Sequence, residues 1–140
     1  MVYLTRRLTF SAAHQLGHGA WSDARNRDTF GACANVHGHN YQLWVTVRGV
    51  PDAETGFVID AKRLKEIVHE HVVGELDHRN LSTDVAWLAE RQPTTENVAM
   101  AIWRRLVPHV EGCALHCVRL QETENISAEY YGELEADTSQ

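Results

Sequence analysis

The chain has 140 residues, of which 44% are hydrophobic and 23% charged, with a formal net charge of −6. That is one domain's length, residues 1–140, with enough apolar residues for a core and little room for a second. The acidic balance excludes a broad nucleic-acid footprint, which needs a basic face, but leaves room for a small anionic substrate held by a few local cations.

From Val2 to His14 the even positions read Val, Leu, Arg, Leu, Phe, Ala, His, while Tyr3 to Ser11 on the odd side are mostly polar. This alternation predicts a first amphipathic strand with His14 at the far end of its apolar face. Residues 15–36 form a 22-residue connection, long for a compact domain and therefore a candidate functional loop. From His37 to Val47 the odd positions read His, His, Tyr, Leu, Val, Val. A second amphipathic strand follows, with His37 and His39 at the near end of its apolar face. Gly49 to Asp52 is a turn signal, and Gly56–Ile59 is read as a short third strand.

Asp60 is placed as the cap of a helix whose stripe is Leu64, Ile67, Val68, His71 and Val72, ended by Gly74. A second helix is expected to start at Pro93-Thr94-Thr95-Glu96, where Thr supplies the cap and Glu96 suits the positive end, with the stripe Val98, Ala99, Ile102, Trp103 and Leu106. Pro108 stops it. Alternation resumes over Ala114–Glu122 and again at Ile126, Ala128 and Tyr130. Strands flanking a block of helices point to an α+β fold, an antiparallel sheet with two helices packed on one face.

If the first two strands pair as antiparallel neighbours, His14 meets His37 and His39 on one face. Residues i and i+2 of a strand point the same way, so three imidazoles can share one ion. Three neutral imidazoles suit Zn²⁺ and leave a fourth position open, the pattern of catalytic sites. Cys33, four residues before His37, is read as a thiol acidified by the metal and used as base or nucleophile. The competing reading makes it a fourth ligand in a closed structural site. Asp77-His78 has the form of a carboxylate–histidine relay, or of a helix-end cap beside a surface histidine. Glu122 ends the row Ala114, His116, Val118, Leu120, where a carboxylate needs a donor partner. His18, His69, His71, His109 and His116 are read as packing or surface residues. No stretch approaches the ~20 apolar residues of a membrane span, and the first ten carry no apolar run of a secretion signal. With three cysteines and no spacing that suits a bridge, a reducing cytoplasm is expected.

The blocks S-A-A-H (11–14), C-A-N-V-H-G-H-N-Y (33–41), L-D-H-R-N-L (76–81), P-T-T-E-N (93–97) and Q-E-T-E-N (121–125) together resemble the 6-pyruvoyl-tetrahydropterin synthase / 6-carboxy-tetrahydropterin synthase family. The resemblance spans nearly the full length. It implies a tunnelling fold (T-fold) assembled as a homohexamer, a dimer of trimers. It also implies zinc on His14, His37 and His39, catalysis by Cys33, Asp77 and His78, and pterin binding by Glu122 and Thr95. The implied substrate is 7,8-dihydroneopterin triphosphate, and Asp77 and His78 are expected to serve a neighbouring subunit's site. The C-x₃-H-G-H spacing matches the branch that forms 6-carboxy-5,6,7,8-tetrahydropterin, acetaldehyde and triphosphate in 7-deazaguanine (queuosine) biosynthesis, and that activity is the expectation. P-T-T-E-N and the region after L-D-H look at least as much like the pyruvoyl-forming branch, which stands as the alternative. A non-catalytic, zinc-stabilised binding module is the reading from another class.

Overall fold

The computed structural model describes residues 1–133. Strands β1 (Val2–His14) and β2 (His37–Gly49) pair antiparallel along their whole length, from Val2 opposite Gly49 to His14 opposite His37. A two-residue strand, β3 (Arg79–Asn80), lies parallel to the end of β1. β4 (Ala114–Thr123) adds to β2, and β5 (Ile126–Tyr130) to β4, both antiparallel, giving the sheet order β3-β1-β2-β4-β5.

One face of this sheet carries the alternating apolar rows, Leu8, Phe10 and Ala12 from β1 and Tyr41, Leu43, Val45 and Val47 from β2, all buried. Two helices cover it. The first runs from Ala61 through Leu76 and packs on β1, and α3 (Thr95–Leu106) packs on β4 and β5. Their caps are those the sequence announces. Asp60 accepts from the Lys62 N–H and Thr94 from the Asn97 N–H, so each satisfies a donor that a helix start leaves free. Leu64, Ile67, Val68, Val98, Ala99, Ile102 and Leu106 interlock with the strand rows in one core.

Three local expectations change. Gly74 does not end the first helix. Regular α2 (Ala61–Val68) passes into a π-helical turn (His69–Val73), and Gly74–Leu76 follows as helix. The inserted residue shifts the helical phase, so Val72, Val73 and Leu76 are all buried. A Cβ on Gly74 would stand 2.9 Å from the His69 carbonyl oxygen, so this glycine serves close packing rather than termination.

Gly56–Ile59 is not a strand. Asp52 organises the segment as a turn, its Oδ1 accepting from the Glu54 and Thr55 N–H groups, while its own N–H bonds to the Phe57 carbonyl. Those local bonds use the groups that strand pairing would need. The 15–36 connection holds an unexpected helix, α1 (Asp23–Phe30), capped by Ser22 and followed by a 3₁₀ turn at Gly31–Ala34. It buries no side chain. Ile102 sits wholly inside the core, so Ile102→Ala should cost about 2–5 kcal/mol in urea unfolding, from lost burial and the cavity left behind.

Candidate metal centre and its surroundings

The β1–β2 register places His14 opposite His37 and Ala12 opposite His39. All three imidazoles therefore lie on the helix-covered face, at the end of the apolar rows. One ligand atom from each lies within 4.8 Å of the other two, and this is the group among the described residues that suits a metal ion. Cys33 is not one of its members.

Backbone carbonyls set the imidazole orientation. Nδ1 of His14 lies 2.8 Å from the Pro93 oxygen, and Nδ1 of His37 lies 2.7 Å from the Asn35 oxygen. A carbonyl only accepts, so both rings carry their proton on Nδ1 and expose a lone pair at Nε2. His14 is 1% exposed, and its Nε2 and that of His39 are buried without a hydrogen-bond partner. Glu122 Oε1 lies 3.3 Å from His14 Nε2 and 3.5 Å from His39 Nε2. A carboxylate facing nitrogen lone pairs is repulsive unless a cation lies between them. The donor set thus fits a bound divalent metal. Burial holds His39 below the ordinary histidine range; Glu122 counters this in part, and His14 and His37 add to the fall. A neutral ring is the form a metal needs.

The segment after His14 is tied to three other parts of the fold. Gln15 exchanges hydrogen bonds with the Ser82 hydroxyl, the Leu16 N–H reaches the Cys33 carbonyl at 2.8 Å, and Gly17 pairs with the Gln92 side chain. The Leu16 bond seats the half-buried Cys33, within the 3₁₀ turn, beside the strand end that carries His14. Thr95 is 4% exposed at the start of α3, two residues beyond the Pro93 carbonyl.

Asp77 and His78 are brought together, Oδ1 to Nδ1 at 3.1 Å. Two backbone bonds to β1 hold them: the Ser11 N–H donates to Asp77 Oδ1, and the His78 N–H donates to the Ser11 carbonyl. His78 has φ +61°, the one positive value outside glycine among the described residues. Strain of that kind persists where surrounding bonds over-determine it. His78, 82% exposed, lines an open groove of about 570 Å³ with residues of both strands, Ser11, Ala12, Ala13, Gly38, His39 and Asn40. Ser11 pairs with Asn40 and Ala13 with Gly38, alternating with Ala12–His39 and His14–His37, so the Ser11 and Asn40 side chains stand on the face opposite the three imidazoles.

The remaining histidines pack: His18 on Trp21, His71 flat on His109 at 3.5 Å, and His116 between Tyr3 and Tyr131, while His69 is exposed. Sequence reasoning missed the Pro93 and Asn35 carbonyls, because backbone acceptors carry no residue signature.

Fold and site together define a T-fold protein with a three-histidine cluster, able to hold a metal ion, at the end of its first hairpin. A family model described as 6-pyruvoyl tetrahydropterin synthase matches residues 3–133. The chain is 42% identical over 132 residues to 6-pyruvoyl tetrahydrobiopterin synthase of Homo sapiens, covering 93% of this chain and 91% of that one. The structure of Caenorhabditis elegans 6-pyruvoyl tetrahydropterin synthase superposes with a TM-score of 0.88 at 38% identity, covering 94% of this chain and 96% of that one. This chain belongs to the 6-pyruvoyl tetrahydropterin synthase family.

The comparisons overturn the expectation of a carboxy-forming, queuosine-pathway enzyme. The Bacillus subtilis 6-carboxy-5,6,7,8-tetrahydropterin synthase is 32% identical over 110 residues, covering 77% of this chain and 67% of that one. The pyruvoyl-branch synthases of Homo sapiens and Dictyostelium discoideum are 42% and 41% identical, each over 132 residues. The spacing that suggested otherwise counts residues between the 3₁₀ turn and β2, where a connection changes length without disturbing the strands it joins.

Asp77 carries a testable charge effect. The Ser11 N–H, and after it the neighbouring His78, hold its carboxyl below the usual range. A depressed carboxylate contributes stability above its unfolded value of about 4 and loses it as pH falls through the folded value. The melting-temperature gap between the native protein and Asp77→Ala should therefore narrow between about pH 6 and about pH 3.

Proposed function

We propose that this protein is a zinc-dependent lyase that eliminates triphosphate from 7,8-dihydroneopterin triphosphate to form 6-pyruvoyl-tetrahydropterin. The observation that carries the metal-dependent part is the convergence of three imidazoles, with Nε2 of His14 and His39 buried without a hydrogen-bond partner and Nδ1 of His14 and His37 committed to carbonyls. The pyruvoyl product is supported by the 42% identity to the human enzyme over nearly the whole length. His14, His37 and His39 would hold Zn²⁺, which supplies Lewis acidity toward the substrate's side-chain hydroxyls.

The protein's own groups divide the proton work. Cys33 thiolate takes the proton from the substrate carbon next to the ring and passes it on. The Asp77–His78 pair exchanges protons with the substrate's side chain: His78 is the transfer group and Asp77 orients its ring. Triphosphate leaves as the bond between its oxygen and the substrate carbon breaks. The ring gains the two electrons that the substituent loses, so no external reductant is consumed. Glu122 accepts from the pterin's ring N–H and 2-amino group, an edge with two adjacent donors, and Thr95 at the start of α3 is read as a second binding residue.

Beside the His78 groove the Ser11 and Asn40 side chains stand on the face opposite the three imidazoles, which supports a reading in which a second copy completes the set. We read the protein as a homo-oligomer, a hexamer built from trimers, acting in the cytoplasm. No helix among the described residues is long and apolar enough to cross a membrane.

The zinc-loaded protein incubated with 7,8-dihydroneopterin triphosphate should release triphosphate and a pyruvoyl pterin with no acetaldehyde. Acetaldehyde in equal yield with triphosphate refutes this reading. Cys33→Ala should keep about one zinc per subunit and lose at least about 10²-fold in turnover, as expected for a proton-transfer group. Joint loss of zinc and of thermal stability would instead make Cys33 a ligand. Glu122→Gln turns one acceptor into a donor that opposes the amine. It should weaken a non-reacting pterin at least about tenfold in a titration, with zinc content unchanged.

A further inference from the structure

Gln92 and Asn97 take no part in the chemistry above, yet both act on the mount of His14. Gln92 grips Gly17 from both sides of the residue: Gly17 N–H donates to Oε1 at 3.0 Å, and Nε2 donates to the Gly17 carbonyl at 2.7 Å. Its own carbonyl accepts from Asn97 Nδ2 at 2.9 Å, and the Asn97 N–H is held by the Thr94 hydroxyl. Between Gln92 and Thr94 lies Pro93, buried, whose oxygen takes the His14 Nδ1 proton. Proline fixes φ and offers no N–H, so the direction of the Pro93 carbonyl is set by what holds its two neighbours. Those holders are Asn97, through Gln92, on one side and the α3 cap on the other. Gln92 also ties this loop to Gly17, just past His14, so backbone and imidazole are gripped by one short segment.

We infer that Gln92 and Asn97 are positioning residues for the metal centre, aligning the Pro93 carbonyl so that His14 keeps its Nδ1–H tautomer and presents Nε2 to the ion. The inference rests on the three-histidine reading of the site and not on which product forms. Groups that orient a metal-bound histidine typically contribute about 10–100-fold in metal affinity.

The test is zinc affinity of the full-length protein by competition with a chromophoric chelator, alongside melting of the metal-free protein. Asn97→Asp removes the donor to the Gln92 carbonyl but puts a carboxylate in the first turn of α3, where the helix dipole favours it. It should therefore keep the metal-free melting temperature while binding zinc about 10–100-fold more weakly. Gln92→Met keeps the length of the side chain without its polar end and should weaken zinc to a similar degree. In ¹⁵N spectra of the metal-free protein, His14 should be the Nδ1–H tautomer in the native protein and a mixture in both variants. Native zinc affinity and an unchanged His14 tautomer in Asn97→Asp overturn the inference. An equal fall in melting temperature and affinity, with the tautomer unchanged, also overturns it in favour of plain structural support. A native protein that binds no zinc defeats the three-histidine site itself, a separate outcome.

Discussion

The site depends on the register of one antiparallel pair. Strands β1 and β2 face each other along their full length of 13 residues, and the last pair in the ladder is His14 with His37. A slip of one residue would turn every side chain of one strand to the other face. The buried rows of Leu8, Phe10, Ala12, Tyr41, Leu43, Val45 and Val47 forbid that slip, because it would expose one row and bury its polar neighbours. The histidine cluster thus inherits its geometry from the core, and the hydrophobic energy that specifies the sheet also specifies where three imidazoles converge.

Around that fixed hairpin end the polar groups are arranged with little freedom. Carbonyls occupy the Nδ1 atoms of His14 and His37, and Glu122 stands against the Nε2 side of His14 and His39. A pocket that gathers lone pairs and a carboxylate is unfavourable in isolation and becomes favourable on receiving a cation or a donor edge. Poor self-satisfaction of this kind is the mark of a binding site. The Asp77–His78 pair shows the opposite condition. It is fully tied to Ser11, strained at His78 and open to solvent, a rigid group offered outward.

The spacing between Cys33 and His37 points to the wrong product branch for a structural reason. These residues leave a 3₁₀ turn and enter a strand, and the length of such a junction is loosely coupled to the side chains that discriminate a reaction. Identity along the chain, 42% over 132 residues to the human pyruvoyl enzyme against 32% over 110 to the carboxy-forming one, samples far more positions than that junction does.

The two long strands, both covering helices with their caps at Asp60 and Thr94, the face on which His14, His37 and His39 meet, and the family were all legible in the sequence. These follow from periodicity, capping chemistry and motifs, which are local features. Helix α1 was not legible, because its residues 23–30 bury nothing and so leave no apolar stripe to read. Neither was the π turn that carries the first helix past Gly74, nor the Asp52 turn that replaces a strand, since both are settled by competition among backbone bonds. Only folding brings the Pro93 carbonyl to His14 and holds Gly17 with Gln92 across 75 positions. Each of those depends on backbone groups that meet in three dimensions. Nearly every residue carries the same amide and carbonyl, so no pattern of side chains foretells which of them will meet.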